Sequence, residues 1–274
     1  MHPVFASVTP LEPDRGWIVA ALLLFLFGFG VSAHALATGK ALPRTLNFAA
    51  LATGFLFQTL FLYHRGHAIG RCPITSLFEV IVFMSWSAVA IYLAIGSAYR
   101  LSLLGEFTAP VVAAMLVWAL LLPRRPLAPP QPVNPWLEAH ASFSLIACGA
   151  FALACVAGWM YLFQDSQLKT RQPTSIFFRL PPISALTVAN SRLLWVGFLF
   201  LSVGLLAGFL IGHSTDSWKL AWSLGAWLLY GLILLARSQQ RIPAIWTARL
   251  SIVAFSLLLS TFWGIRFVSD TRSL

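Results

Sequence analysis

The sequence predicts an all-α integral membrane protein, a bundle of about eight transmembrane helices. Three observations carry that prediction. The chain's 274 residues are 59% hydrophobic and only 9% charged, against about 25% charged in a soluble domain. The mean hydropathy is +0.82. The apolar residues also fall in runs of about 20, the length that crosses roughly 30 Å of hydrocarbon at 1.5 Å per residue. No segment outside those runs is long enough for a second core, so a single membrane domain over 17–268 is expected. It lies between an N-terminal segment, 1–16, and a short tail, 269–274.

The runs place helices at about Trp17–Ala37, Leu46–Tyr63, Leu77–Ile95, Phe107–Leu122, Trp136–Phe163, Leu193–Gly212, Leu220–Ala236 and Leu250–Val268. Proline separates several of them: Pro43, Pro73, the proline-rich Pro123–Pro135 stretch and Pro181-Pro182 are poor helix interiors. Pro110, near the start of the fourth run, weakens the case for a helix there without removing it. The first run follows Glu12, Asp14 and Arg15 with no basic n-region, so it reads as a retained anchor rather than a cleaved leader.

The net charge of +10 does not point to nucleic acid. Its 18 Lys and Arg are scattered through short connections instead of gathered on one face. In a membrane chain such residues report topology. With the N-terminus outside, the inner connections hold Lys40, Arg44, Arg100, Lys169, Arg171, Arg179, Arg192, Arg237, Arg241 and Arg249. The outer side holds Arg15, Arg65, Arg71, Arg124, Arg125, Lys219, Arg266 and Arg272. The two densest clusters, Lys169–Arg192 and Arg237–Arg249, share a side and decide the orientation: both termini outside.

That topology gathers His64, His67, His140 and His213 at the outer interface, near the Trp218–Trp227 segment. Polar groups at membrane depth usually mark a site or a pathway. Interfacial Trp and helix-end His are also ordinary belt chemistry, so the convergence carries two readings. Glu79, one turn inside the third helix, must be paired or hydrated. It caps its own helix, or it pairs with Arg65 or Arg71, or it serves a cavity. His34 reads as a packed or interfacial histidine. Cys72, Cys148 and Cys155 lack CxxC spacing and zinc-type His partners, and Cys148 and Cys155, one heptad apart in an apolar helix, read as small packing residues.

Three stretches carry a family pattern. Gly66-His67-Ala68 through Pro73-Ile74-Thr75-Ser76-Leu77-Phe78-Glu79, then Phe83-Met84-Ser85-Trp86, form the first. Trp136-Leu137-Glu138-Ala139-His140 is the second. The third runs from Gln167-Leu168-Lys169 and Leu180-Pro181-Pro182 through Asn190-Ser191-Arg192-Leu193 and Trp195-Val196-Gly197-Phe198 to Trp222 and Trp227-Leu228-Leu229-Tyr230. In order and spacing, over roughly 46–268, they resemble the cytochrome c assembly proteins of the CcsA, ResC and HemX-like type, nearest the HemX-like branch. The resemblance implies haem handling at the outer face, with a Trp-rich segment presenting the macrocycle and flanking histidines ligating iron. It makes His140 the haem-iron ligand and Trp222 and Trp227 part of the haem-binding segment. Other membrane or periplasmic assembly proteins are the implied partners.

The carry-over is incomplete. The tryptophan-rich motif that precedes Trp222 in the family is replaced by Gly212-His213-Ser214-Thr215-Asp216-Ser217-Trp218. A family histidine near the chain end has no counterpart in Arg266–Leu274, and Gln58 stands where the second helix carries another. His213 or His67 is left as a substitute ligand. Two other classes stay open: a small-molecule permease, although no paired repeat is visible, and a scaffold that kept the fold and lost the haem site. An enzyme is not expected, for there is no nucleophile–base pair, phosphate loop or metal-spaced carboxylate cluster.

The charge bias generates a direct test. Alkaline phosphatase fused after Val268 is expected to be active, and fusions in the Lys169–Arg179 connection silent. The reverse pattern would move every histidine named above to the inner side.

Overall fold

The computed structural model describes residues 13–38, 44–96, 102–123, 133–170, 182–211 and 217–271. Over these the chain is helical: α1 (Pro13–Thr38), α2 (Arg44–Ile69), α3 (Leu77–Ile91) continued by a π turn (Tyr92–Gly96), α4 (Ser102–Leu121), α5 (Pro135–Thr170), α6 (Ile183–Phe209), α7 (Ser217–Ser238) and α8 (Ala244–Thr271). Six are long and apolar enough to cross a membrane, and α4 and α8 supply shorter apolar stretches, Phe107–Leu121 and Ala244–Ser260.

Element order matches the expectation, and boundaries differ where polarity was taken as an end. Helix α6 begins at Ile183 rather than Leu193, α5 runs on to Thr170, and α2 continues to Ile69. Ser, Thr, Asn and Arg near a helix end remain compatible with helix once they lie outside hydrocarbon or bond within the bundle, so apolarity marks the bilayer and not the helix. Pro110 lies inside α4 without ending it, as neighbouring membrane helices allow. The proline-rich 124–132, and Pro181, are outside the described residues.

Helix α5 is the axis of the bundle. It packs on α6, α8 and α3, while α1 lies on α2 and α4, and α4 on α3. Its 36 residues extend roughly 54 Å at 1.5 Å per residue, more than a bilayer core, so it must tilt or project. Between helices in lipid there is little hydrophobic driving force, and close backbone approach through small residues takes its place. Each α5 seam has such a residue. A Cβ at Gly149 would meet the Ala88 backbone nitrogen of α3 at 2.7 Å, and one at Gly158 the Ala248 carbonyl of α8 at 2.9 Å. Across the third seam, Gly197 of α6 faces the Phe151 ring, which also stacks on Tyr230 of α7 at 3.6 Å between centroids.

Polar side chains fasten the same seams. Asn190 Nδ2 donates to the Ala154 carbonyl at 2.7 Å and to Ser251 Oγ at 3.1 Å, tying α6 to α5 and α8. Ser87 Oγ, on α3, donates to the Leu145 carbonyl of α5 at 3.1 Å.

The tightest polar centre joins α2 to α3. Ser76 Oγ accepts from the Glu79 N–H at 3.3 Å while Glu79 Oε2 accepts from the Ser76 N–H at 3.2 Å, a complete capping box. The same Oε2 accepts from Thr75 N–H and Thr75 Oγ1, each at 2.7 Å. Oε1 takes the Arg65 Nε–H at 2.8 Å, with the Glu79 side chain fully buried. Both structural readings of Glu79 therefore hold together: it caps α3 and pairs with Arg65. Gly70 turns the chain between the helices at φ +67°, a conformation that suits glycine.

Removing one partner of a buried ion pair costs about 3–5 kcal/mol. Glu79→Gln is expected to lower the melting temperature of the detergent-purified protein. The exchange Arg65→Glu with Glu79→Arg should not restore it, because an arginine cannot accept the Thr75 and Ser76 donors. Full recovery in the exchanged protein would show that Coulomb attraction alone holds the site.

Candidate functional site

The site lies at the end of the bundle where α1 begins and where α2, α4, α6 and α8 finish. Here the connection that Glu79 organises reaches α5. The Cys72 N–H donates to Glu138 Oε1 at 3.2 Å, and Cys72 Sγ lies 3.4 Å from Ser142 Oγ. Burial pushes the Cys72 thiol above its ordinary range, a push opposed by the Ser142 hydrogen bond and reinforced by Glu138. A thiol held in its protonated form is a poor metal ligand and nucleophile, so Cys72 serves as a strut.

Helix α5 starts one turn before His140. Asn134 Oδ1 accepts from the Trp136 N–H at 3.1 Å, and Pro135 occupies the first turn, where its missing N–H is no loss. Glu138 and Ser142, four residues apart, face the α2–α3 connection. His140 is rotated about 200° from both at 100° per residue, and faces α6 instead.

There His140 Nδ1 lies 2.7 Å from the carbonyl oxygen of Gly204. A carbonyl only accepts, so Nδ1 carries the proton and donates. In the neutral ring Nε2 then holds the lone pair. Among the described residues nothing bonds Nε2, and the ring is partly exposed. This is the arrangement of a ligating histidine, whose second nitrogen is fixed by a backbone carbonyl. Gly204 and Gly208 make the notch. A Cβ at Gly208 would lie 2.8 Å from His140 Nδ1, and one at Gly204 would lie 2.9 Å from Ser144 Oγ and 3.4 Å from the His140 carbonyl. These two glycines escaped the sequence reading, although Gly204-Leu205-Leu206-Ala207-Gly208 is a small-xxx-small pattern of the kind that marks close helix packing.

The two tryptophans separate. Trp227 is held on α6 by a 2.9 Å bond from Nε1 to Ser202 Oγ and by stacking on Phe198 at 5.3 Å. Trp222 lies five residues earlier, about 140° around α7, and is 41% exposed. They do not form one two-sided slot. His67 is on the last turn of α2, exposed, with its ring edge-on to Tyr63 at 5.3 Å. Helix α2 packs chiefly on α1, α3 and α4, so His67 and His140 are borne by different halves of the bundle. His213 is outside the described residues. His34, at the opposite end of α1, is exposed. Gln58 is fully buried, and its Nε2 donates to Ser85 Oγ in the α2–α3 seam, away from the His140 notch. Among the described residues no group of three or more His, Cys, Asp or Glu is gathered to hold a metal ion.

Comparison with known proteins agrees with this frame. A family model described as "Cytochrome C assembly protein" matches residues 74–272. Protein HemX of Brevibacillus brevis is 28% identical over 257 residues, covering 90% of this chain and 92% of the relative. Protein HemX of Bacillus subtilis (strain 168) is 26% identical, covering 85% and 88%. Cytochrome c biogenesis protein CcsA of Gloeobacter violaceus is 24% identical, covering 86% and 85%. The family match spans α3 to the end of α8 and includes the His140 notch, Trp222 and Trp227: this chain belongs to the cytochrome c assembly protein family.

Proposed function

We propose that this chain is a haem-binding assembly factor, a holder rather than a catalyst, and that His140 contacts the iron. A role in cytochrome c biogenesis follows from the family and from the CcsA relatives. One observation carries the finer reading: the His140 Nδ1–H donates to the Gly204 carbonyl, so Nε2 is free for a ligand. Neutral imidazole is a good axial ligand for haem iron, and a fixed second nitrogen orients the ring and raises its basicity.

The remaining parts follow from the same end of the bundle. Haem, when bound, would supply a redox-active iron in a flat apolar ring. Trp222, half exposed on the second turn of α7, offers an aromatic face, and Trp227 locks α7 to α6 beneath it. His213 is five residues beyond Gly208 in sequence. His213 and His67 are the two candidates for a second ligand. The charge bias sets this end outside, facing the compartment where partner assembly proteins would meet it.

A scaffold that kept the fold without the haem site is the second reading. It is favoured by the separation of Trp222 from Trp227 and by the engagement of Gln58 with Ser85.

An absorption spectrum of the detergent-purified protein separates the two. A Soret band is expected in the wild type. In His140→Ala it should vanish or shift, with expression and membrane insertion unchanged, while His34→Ala should leave it intact. Undiminished haem in His140→Ala would move the ligand to His213 or His67. A wild type without haem, and unable to bind added haemin, would leave the scaffold.

A further inference from the structure

We infer that Gly208 is a positioning residue: lacking a Cβ, it lets the His140 Nδ1–H seat on the Gly204 carbonyl and so selects the tautomer that leaves Nε2 bare. The inference concerns the free protein. Its consequence for iron rests on the haem reading above.

The first constraint is steric. A Cβ on Gly208 would lie 2.8 Å from Nδ1 and 3.2 Å from Cε1 of His140. The ring cannot yield by moving its helix, because the seam is already closed one turn away. The Cβ direction of Gly204 points at the Ser144 backbone nitrogen, 3.2 Å off, and at the His140 carbonyl, 3.4 Å off. Any side chain at 208 must therefore turn the imidazole out of the notch.

The second step is hydrogen bonding. Within α6 the Gly204 carbonyl is the acceptor for the Gly208 N–H, four residues on. A carbonyl has two lone pairs, and the second takes the imidazole only if the residue above it leaves the approach open. Gly208 is that residue. Turned out of the notch, the ring has no carbonyl to select a tautomer, and its proton divides between Nδ1 and Nε2. An Nε2 that carries the proton cannot ligate a metal.

Nitrogen-15 histidine labelling in detergent reads the tautomer directly, with His140 assigned by its loss in His140→Gln. The wild type is expected to show a protonated Nδ1 and a bare Nε2. Gly208→Val should give a mixed tautomer, and Gly208→Ala a smaller change in the same direction. Gly225→Ala, where an added Cβ meets nothing within 4 Å, should match the wild type. Haemin titrated into the same samples should bind about 10–100-fold more weakly in the Gly208 variants, the usual loss when a ligand histidine's outer partner is removed. Melting curves report whether each variant is folded, and Gly208→Ala decides the matter if Gly208→Val is not. A wild-type tautomer retained in the folded Gly208 variants would overturn the inference. A tautomer shift as described, in a protein whose wild type binds no haemin, would uphold it and remove the haem reading alone.

Discussion

One buried carboxylate organises the end of the bundle that carries the site. Glu79 has no exposed side-chain surface, and at that depth an unpaired charge would be costly. Its four donors come from three places: Arg65 near the end of α2, Thr75 in the connection, and Ser76 at the start of α3. Satisfying that one group fixes where α2 stops and how α3 begins. The connection so fixed presents Cys72 to Glu138 and Ser142 on the first turns of α5. The rotation of α5 is then set on the α3 side, and on its opposite side His140 is left facing α6.

The second constraint is the lack of hydrophobic drive between helices in lipid. Helix α5 packs chiefly on α6, α8 and α3, and a glycine lies at each of these seams. Gly149 faces α3 and Gly158 faces α8, while Gly197, Gly204 and Gly208 of α6 face α5 in return. Close backbones expose carbonyls to the neighbouring helix, and polar side chains collect them: Ser87 takes Leu145, Asn190 takes Ala154, and His140 takes Gly204. The His140 bond is thus one member of a packing scheme that runs the length of α5. It differs from the others because its donor has a second nitrogen with chemistry left over.

Much of the fold was legible in the sequence, since apolar runs and prolines report the bilayer directly. Boundaries were less so. Ile183–Arg192 is helical although it carries Ser, Thr, Asn and Arg, because Asn190 is answered by α5 and α8, partners that no local pattern reveals. Glu79 was legible because a carboxylate in the first turn after a Ser has few ways to be satisfied, and Arg65 lay within reach. His140 was singled out by its motif, but the reason it faces α6 depends on Gly204 and Gly208, more than sixty residues away. Five-residue spacing placed Trp222 and Trp227 in one motif. Helical geometry sends them to different faces, and only the Ser202 and Phe198 contacts show which one is anchored.

The notch is asymmetric. Here one ligand candidate is rigid, seated on a helix seam with its tautomer fixed. His67 belongs to the α2 half of the bundle, and His213 is outside the described residues. A single fixed imidazole supplies direction: the α5–α6 seam alone sets where Nε2 points. If haem binds as proposed, its orientation would be inherited from that one seam, which Gly204 and Gly208 keep open.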